Sequence, residues 1–474
     1  MSNTAVVLAT LVLYQLLLLG IGWWAKYRNR DESDFFLGGR GLGPLVAAIS
    51  YSSSASSAWT LLGVSGIAYL LGISAVWIAA GSFSGMLVAW FWIAPRLRRF
   101  SREQDLITMT DVLVHGCDHG MRRAIVISAS VIIVFSFTFY VAAQFQAAGN
   151  TFATTFELPM GDSILIGALI IMIYTMLGGF WAVSVTDTVQ GLLMALTAVL
   201  LPVAALIEVG GIGGFMDGLR AVSTPAQLGW SGANAGLAAL GFVLGSLGIG
   251  FGTYGQPHLL VRFMALRDER AMRQARVITI SWYSLVFLAM LFVGLVGHVL
   301  HAAAVDNPEN IFFLLTTSLF PPILGAVILA AVLSAIMSTA DSQLLVAASA
   351  ISHDLGFGTR RPLRQLLISR LTIAALVALA VVVALYLPER IFSRVLFAWS
   401  ALGAAFGPVM FFRLAGVTVR PGAVLAAILA GFGLSVLFYL LPNTPGDVLE
   451  RLAPFLIASL ILLANRLPPA GATR

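Results

Sequence analysis

The sequence predicts an all-α polytopic membrane protein with thirteen transmembrane helices, and three observations support this fold class. The 474 residues are 59% hydrophobic and only 10% charged, with a mean hydropathy of +0.94. The apolar residues occur in blocks of about 20, the length with which an α-helix crosses a bilayer. Lys and Arg are concentrated in every second segment between successive blocks. A soluble chain of this length would need far more polar surface, and we expect no soluble domain at either end.

The blocks define the predicted helices in chain order. The first is preceded by no basic residue and followed by no small-residue cleavage site, so we interpret it as a retained helix rather than a signal peptide. The ninth is longer than one span, and we expect a short surface helix before its membrane-crossing part. The blocks lie at residues 5–25, 42–62, 68–94, 122–150, 160–179, 184–208, 234–260, 273–300, 311–349, 366–386, 391–412, 421–441 and 450–465.

The distribution of Lys and Arg predicts the orientation. If the first block begins outside, the inner loops contain 23 of these residues and the outer loops contain four. Because cytoplasmic loops carry the excess of positive charge, we expect the N-terminus outside and the C-terminus inside a multi-pass protein of the cell (inner) membrane. The net charge is +6, but its basic residues lie mostly in the predicted cytoplasmic loops, so no nucleic-acid partner is expected. No metal-ligand spacing and no nucleophile–base pair is evident, so we expect a protein that is not an enzyme.

Two blocks contain residues that favour a broken helix. The second contains the serine-rich run 50–57, whose hydroxyls compete for backbone hydrogen bonds. The seventh contains five glycines between 245 and 255 and ends in Gln256-Pro257. Broken helices in corresponding halves are typical of secondary transporters, in which they form the ion and solute sites. The alternative is that these small residues only permit close helix packing.

The five-span separation of the two blocks predicts two inverted repeats of five helices. The domains are then 1–41, an extra N-terminal helix and the first cytoplasmic loop; 42–210, the first repeat; 211–415, the second repeat; and 416–474, two C-terminal helices and a short tail.

Two acidic residues, Asp187 and Asp341, lie inside apolar blocks and are surrounded by hydroxyl side chains. Ionisable groups within membrane spans are costly and usually functional. On a helix, spacings of three and four residues place Ala335, Ser338, Thr339 and Ser342 on one face. Such oxygen-rich surroundings favour a monovalent cation. The alternatives are that Asp187 caps its helix and that Asp341 reaches the aqueous surface.

Four stretches resemble the sodium:solute symporter family, in its proline-carrier branch. They are spread over most of the chain in family order, and together they are highly specific. They are 35–44 (FFLGGRGLGP), 254–264 (YGQPHLLVRFM), 337–345 (MSTADSQLL) and 397–408 (FAWSALGAAFGP).

The resemblance implies sodium-driven symport by alternating access, with Na+ as the ion cofactor. It implies a principal sodium site made by carbonyl oxygens of Ser53, Ser56 and Ala335 and by the hydroxyls of Ser338 and Thr339. A second-ion or gating site is implied at Asp187, Asp341 and Ser342. The expected partners are sodium, a small organic solute and the lipid bilayer, with a monomer as the functional unit. A non-transporting solute sensor and a proton-coupled symporter remain alternatives.

The expected solute is an amino acid such as proline or a small carboxylate. Proline carriers have acidic residues at the positions of Ala55 and Ala75, and aromatic residues at those of Ile249 and Thr253. Because the side chains of this chain are uncharged and smaller there, its cavity should be less negative and roomier than that of the proline carriers. The predicted solute-binding residues come from three blocks. They are Ser54, Ser57, Trp59, Tyr140, Phe251, Thr253 and Gln256.

Overall fold

The computed structural model describes residues 3–25, 37–177, 179–302, 305–355, 362–387 and 389–468. Within these ranges every extended regular element is a helix, and ten helices are long and apolar enough to cross a membrane. Most of the first predicted cytoplasmic loop (26–36) and the tail (469–474) lie outside the described residues. The all-helical polytopic fold class is therefore confirmed.

The α-helices are numbered here in chain order. They are α1 Asn3–Ala25, α2 Pro44–Ala58, α3 Val64–Leu71, α4 Val76–Val88, α5 Ala94–Glu103, α6 Met109–Val114, α7 His119–Phe156, α8 Met160–Leu177, α9 Phe180–Glu208, α10 Gly211–Val222, α11 Pro225–Leu228, α12 Gly236–Gly252, α13 Pro257–Ala265, α14 Glu269–Leu300, α15 Ile311–Leu319, α16 Pro322–Ser349, α17 Pro362–Tyr386, α18 Ile391–Leu414, α19 Pro421–Leu440 and α20 Val448–Ala464.

The ten long apolar helices and the thirteen predicted blocks differ for identifiable reasons. The second and third blocks fall in one helical stretch, Pro44–Glu103, because short 3-10 and π turns join its α-helices. The apolar part of α8, Met160–Met176, and the 17-residue α20 are shorter than a full span. The ninth block consists of the short helix α15 followed by α16, as predicted.

Both predicted helix breaks are present. In α2 the chain leaves helical geometry at Ser57, which has φ +50° and ψ −174°, and a π turn over Trp59–Gly63 leads into α3. The second break follows α12, where Gln256 is extended and α13 begins at Pro257. Proline is well suited to the first position of a helix, because it has no N–H to leave unpaired there. A further interruption at Gly72, with φ +62°, was not predicted from the sequence.

The packing places the first break at the centre of the bundle. Helix α2 packs against α9, α14 and α16, and α16 also packs against α7 and α9. Helix α12 packs on α4, α18 and α20, which places the second break beside α18. Residues 47–58 of α2 are all buried. Polar groups in this part of the chain must therefore find partners within the protein.

Candidate ion and solute sites

The first half of α2 crosses α16 just before the break, and hydrogen bonds join the two helices there. The Ser54 hydroxyl donates to the Ser338 carbonyl at 2.8 Å, and the Thr339 hydroxyl donates to the Ser54 carbonyl at 3.0 Å. The Ser338 hydroxyl lies 3.3 Å from the Ala335 carbonyl. The crossing therefore brings the Thr339 hydroxyl of α16 against the Ser54 carbonyl of the broken helix, and the Ser54 hydroxyl against a carbonyl of α16.

The other two predicted sodium ligands, Ser53 and Ser56, lie on the same buried part of α2. The Ser53 hydroxyl is 3.3 Å from the carbonyl oxygens of both Ser50 and Asp187. The Ser56 hydroxyl has no hydrogen-bond partner among the described residues, although it is buried. All five predicted residues thus lie on the two helices that cross here, and their role as sodium ligands stays a prediction.

Asp187 forms a buried ion pair with Arg262, a residue that the sequence-based site did not include. Asp187 Oδ2 lies 2.9 Å from Arg262 Nη2 and accepts a 2.7 Å hydrogen bond from the Ser50 hydroxyl. The guanidinium also donates to Ser54 at 3.0 Å and to Ser342 at 2.6 Å. Arg262 is 1% exposed and Asp187 is fully buried. One arginine therefore joins α2, α9, α13 and α16.

Arg262 belongs to the 23 basic residues of the predicted inner loops, because the seventh block ends at residue 260. The sequence did contain a signal, since Arg262 interrupts an apolar run directly after the Gln256-Pro257 break. The expectation that Asp187 could be a helix cap is wrong. Helix α9 begins at Phe180, so Asp187 lies two turns inside it. Asp341 is likewise fully buried within α16 and does not reach the surface.

The buried cluster contains two carboxyl groups, those of Asp187 and Asp341, and one guanidinium group, that of Arg262. The Ser342 hydroxyl lies 3.3 Å from Asp341 Oδ1, while Asp341 Oδ2 and Asp187 Oδ1 have no hydrogen-bond partner in the described part of the chain. With both carboxylates ionised and Arg262 protonated, one negative charge is uncompensated. Uncompensated buried charge is strongly unfavourable, so the cluster favours one additional monovalent cation or proton.

A narrow cavity lies on the other side of the first break. Its walls come from α2, α4, α7, α12, α14 and α18 and leave room for about one water molecule. Tyr140 donates a long hydrogen bond of 3.4 Å to Ser57, whose hydroxyl also accepts from the Trp59 N–H at 3.1 Å. The lining residues are Ala55, Trp59, Ser82, Tyr140, Ile249, Thr253, Tyr283, Val395, Leu396 and Trp399.

Three of the predicted solute-binding residues line this cavity, namely Trp59, Tyr140 and Thr253. A fourth, Ser57, accepts the hydrogen bond of Tyr140. Ser54 lies instead at the crossing of α2 and α16. The contributions of α4, α14 and α18 to the cavity wall were not predicted, because these contacts depend on long-range packing.

Phe251 and Gln256 also lie elsewhere. The Phe251 ring stacks on Phe455 with 4.6 Å between centroids. Residues 249 and 253 share a helix face, and position 251, half a turn from each, faces the opposite way. The Gln256 amide donates to the carbonyls of Gly252 and Trp399, at 3.0 Å each, and so bridges the second break.

A helical membrane bundle with two broken helices, beside which lie buried carboxylates and a narrow cavity, has the architecture of a secondary transporter. The model of the sodium:solute symporter family matches residues 35–431. The chain belongs to this family, so the resemblance seen in the four sequence stretches is confirmed. It is a sodium-coupled solute symporter and a multi-pass protein of the cell membrane, not an enzyme.

Curated relatives cover most of the chain. The osmoregulated proline transporter OpuE of Bacillus subtilis (strain 168) is 35% identical over 434 residues, which are 90% of this chain and 87% of that protein. Sodium/proline symporter 2 of Staphylococcus saprophyticus is 34% identical over 433 residues, covering 89% of this chain and 83% of that one.

Solved structures show the same fold at lower identity. A Na+-coupled sialic acid symporter, solved in a substrate-bound outward-open state, has a TM-score of 0.80 at 16% identity and covers 98% of this chain and 99% of its own. Mhp1, a transporter of the nucleobase-cation-symport-1 family, has a TM-score of 0.58 at 14% identity and covers 92% and 95%. In this family sodium is a co-transported ion rather than a resident cofactor.

Proposed function

We propose that this symporter carries proline into the cell together with sodium, by alternating access. The observation that supports sodium coupling most directly is the α2–α16 crossing. There, the Thr339 hydroxyl donates to the Ser54 carbonyl beside a helix break, and the Ser338 hydroxyl lies near the Ala335 carbonyl on the same helix as Thr339, in a fully buried setting. Proline is favoured over a small carboxylate because curated relatives that match most of the chain are named proline transporters.

The proposed principal sodium site consists of the carbonyls of Ser53, Ser56 and Ala335 and the hydroxyls of Ser338 and Thr339. Na+ prefers oxygen ligands, and the α2 backbone near Ser57 has lost part of its helical hydrogen bonding. Ligation by the ion would offset the cost of leaving these polar groups without helical partners. A single copy of the chain contains the whole proposed ligand set, so a monomer suffices as the functional unit.

The proposed solute site is the cavity beside the first break. Ser57 and Thr253 offer hydroxyls, while Tyr140 and Trp59 offer aromatic faces against which a proline ring could rest. Ala55 in the cavity wall carries no charge. The ammonium group of the solute would therefore be held by hydroxyls and carbonyls. The cavity has to widen to admit proline, which is the expected consequence of alternating access.

The cluster of Asp187, Asp341, Ser342 and Arg262 is proposed as a second-ion or gating site. Its net negative charge favours one further cation, and a proton would satisfy the same requirement as sodium. Proton coupling through this cluster is therefore the second candidate mechanism. Because Arg262 bonds to α2, α9 and α16 at once, its release would loosen the junction of these helices.

We further propose thirteen spans with the N-terminus outside, and two inverted repeats at 42–210 and 211–415. Arg102 and Arg267 are exposed residues of proposed cytoplasmic loops. After replacement of Cys117, single cysteines at these two positions should react with impermeant thiol reagents only from the cytoplasmic side. Reaction in intact cells would reverse the proposed orientation.

Transport by purified protein in proteoliposomes tests the proposed function. We expect an inward sodium gradient to drive accumulation of radiolabelled proline, and choline in place of sodium to abolish it. Uptake driven by a pH gradient without sodium would favour proton coupling instead. Absence of solute counterflow in protein that binds proline would identify a sensor. Stronger inhibition by larger amino acids or monocarboxylates than by unlabelled proline would reject proline as the main solute.

A further inference from the structure

Helix α1 lies outside the proposed repeats but packs directly on α16 and α9. Its residues Leu11 and Leu18 are buried at 7% and 0% exposure, whereas neighbouring leucines of α1 face outward. Tyr14 lies between these two positions, at spacings of three and four residues. Because such spacings share one helix face, Tyr14 belongs to the stripe of α1 that faces the core.

The Tyr14 hydroxyl makes a hydrogen bond to the hydroxyl of Ser334 on α16. The Ser334 hydroxyl also lies 2.7 Å from the Ala330 carbonyl, which can only accept. A serine hydroxyl has a single proton, so it donates to Ala330 and accepts from Tyr14. Ser334 is fully buried. The phenol therefore holds this side chain where no water is available to replace it.

Ser334 lies on the turn of α16 that leads into the proposed sodium ligands. It precedes Ala335 directly, and Ser338 is one helical turn further along. In an α-helix the Ser334 carbonyl accepts the hydrogen bond of the Ser338 N–H. A contact that fixes Ser334 therefore limits the rotation and shift of the turn that presents the Ala335 carbonyl and the Ser338 hydroxyl.

We infer that Tyr14 is a positioning residue for sodium binding, acting through Ser334, and that α1 thereby contributes to the sodium affinity of a site it does not touch. This inference rests on the proposed sodium site at the α2–α16 crossing. Ligands that are held in place before the ion arrives lose less freedom when they bind it. Loss of the Tyr14 hydroxyl should therefore weaken sodium binding without removing any ligand.

The test is the sodium dependence of proline uptake in proteoliposomes, with choline keeping the ionic strength constant. For Tyr14→Phe we expect the half-saturating sodium concentration to rise about threefold, since part of one neutral hydrogen bond is lost. The maximal rate at saturating sodium should stay unchanged. Tyr439→Phe is the matched control, because it also removes a phenol hydroxyl. That hydroxyl bonds to Glu389 at 2.6 Å, and Tyr439 lies on α19, which is distant in sequence from α16. It should not alter the sodium dependence.

A double-mutant cycle tests the route through Ser334. Ser334→Ala should have a similar effect, and the combined variant should be no worse than either single one, since both remove the same bond. Additive effects, or an unchanged sodium dependence in Tyr14→Phe, would overturn the positioning role.

The variant Ser338→Ala/Thr339→Ala is included as a reference. If the half-saturating sodium concentration rises in this reference variant but not in Tyr14→Phe, only the role of Tyr14 fails. If the reference is unchanged, the proposed sodium site fails, and the role of Tyr14 fails with it.

Discussion

The two broken helices satisfy their interrupted backbones in different ways. At the first break, partners come from other helices, since the Ser54 carbonyl accepts from Thr339 and the Ala58 N–H donates to Gln144 at 3.1 Å. At the second break, one side chain spans the gap, because the Gln256 amide bonds both to the Gly252 carbonyl of the preceding turn and to the Trp399 carbonyl of α18.

Steric packing differs as well. A Cβ on Gly252 would lie 1.8 Å from the Trp399 ring, and one on Gly255 would lie 2.1 Å from the Leu402 carbonyl. The Trp399 indole donates to the Ile249 carbonyl at 3.0 Å, which holds the ring in place. The first break is thus a polar junction, at which we propose that hydrogen bonds are exchanged for ion ligands. The second is a close-packed junction that forms a wall of the proposed solute cavity.

Arg262 connects the two junctions, and its removal should have the largest effect. In Arg262→Gln the carboxylate of Asp187 stays buried without its cation, which typically costs about 3–5 kcal/mol. We expect a strong fall in the thermal stability of the purified protein and loss of transport. In the double variant Arg262→Gln/Asp187→Asn, stability should recover substantially, because no unpaired charge remains at this position. A double variant as unstable as Arg262→Gln would show that the ion pair is not the reason for the loss.

Asp187→Asn alone separates a transport role from a structural one. We expect it to change the sodium:solute stoichiometry or to slow release of solute inside, while binding from outside is largely retained. Loss of the protein from the membrane without a selective transport defect would favour a purely structural role.

The close-packed second break should tolerate very little added side-chain volume. We expect Gly252→Ala to destabilise the protein by about 3 kcal/mol, the upper end for an overpacked core, because the added methyl overlaps the Trp399 ring. The measurement is the amount of monodisperse protein extracted from the membrane, together with proline uptake. Gly433→Ala is the matched control, since nothing lies within 4 Å of a Cβ at that helical position. Equal yields of the two variants would contradict the packing argument.

The polar junction should respond in its sodium dependence rather than in its stability. For Ser338→Ala/Thr339→Ala we expect the half-saturating sodium concentration for uptake to rise at least about tenfold, because two ligand oxygens are lost. Protein amount should change little. An unchanged sodium dependence in well-expressed variant protein would remove these hydroxyls from the proposed site.

The smallest effect is expected for Phe251, which faces away from the cavity. Phe251→Leu should change the half-saturating proline concentration by less than about twofold, because the ring packs on Phe455 rather than on solute. Thr253→Val is the comparison on the opposite face of the helix and should weaken proline uptake more strongly. If Phe251→Leu impairs proline binding more than Thr253→Val, the assignment of the cavity wall is wrong.

Local sequence signals predicted the helices and both breaks. Apolar block length, the serine run and the Gly-Gln-Pro sequence each act within a few residues, so they can be interpreted without a structure. Ser338 and Thr339 were assigned to the ion site through the family resemblance, and that role stays a prediction. Tyr283 and Trp399 could not be predicted as cavity residues, because they reach the cavity only through helix packing. The pairing of Arg262 with Asp187 depends on the same packing. Phe251 was assigned to the cavity by residue type, while its position on α12 directs it outward.

Equilibrium binding of radioactive sodium to the purified protein, without solute, measures whether the crossing of α2 and α16 holds the ion. We expect saturable sodium binding to the unaltered protein and binding at least about tenfold weaker in Ser338→Ala/Thr339→Ala. Gly433→Ala should bind sodium like the unaltered protein. Equal sodium affinity in the hydroxyl-deficient variant and the unaltered protein would contradict a sodium site at the crossing of α2 and α16.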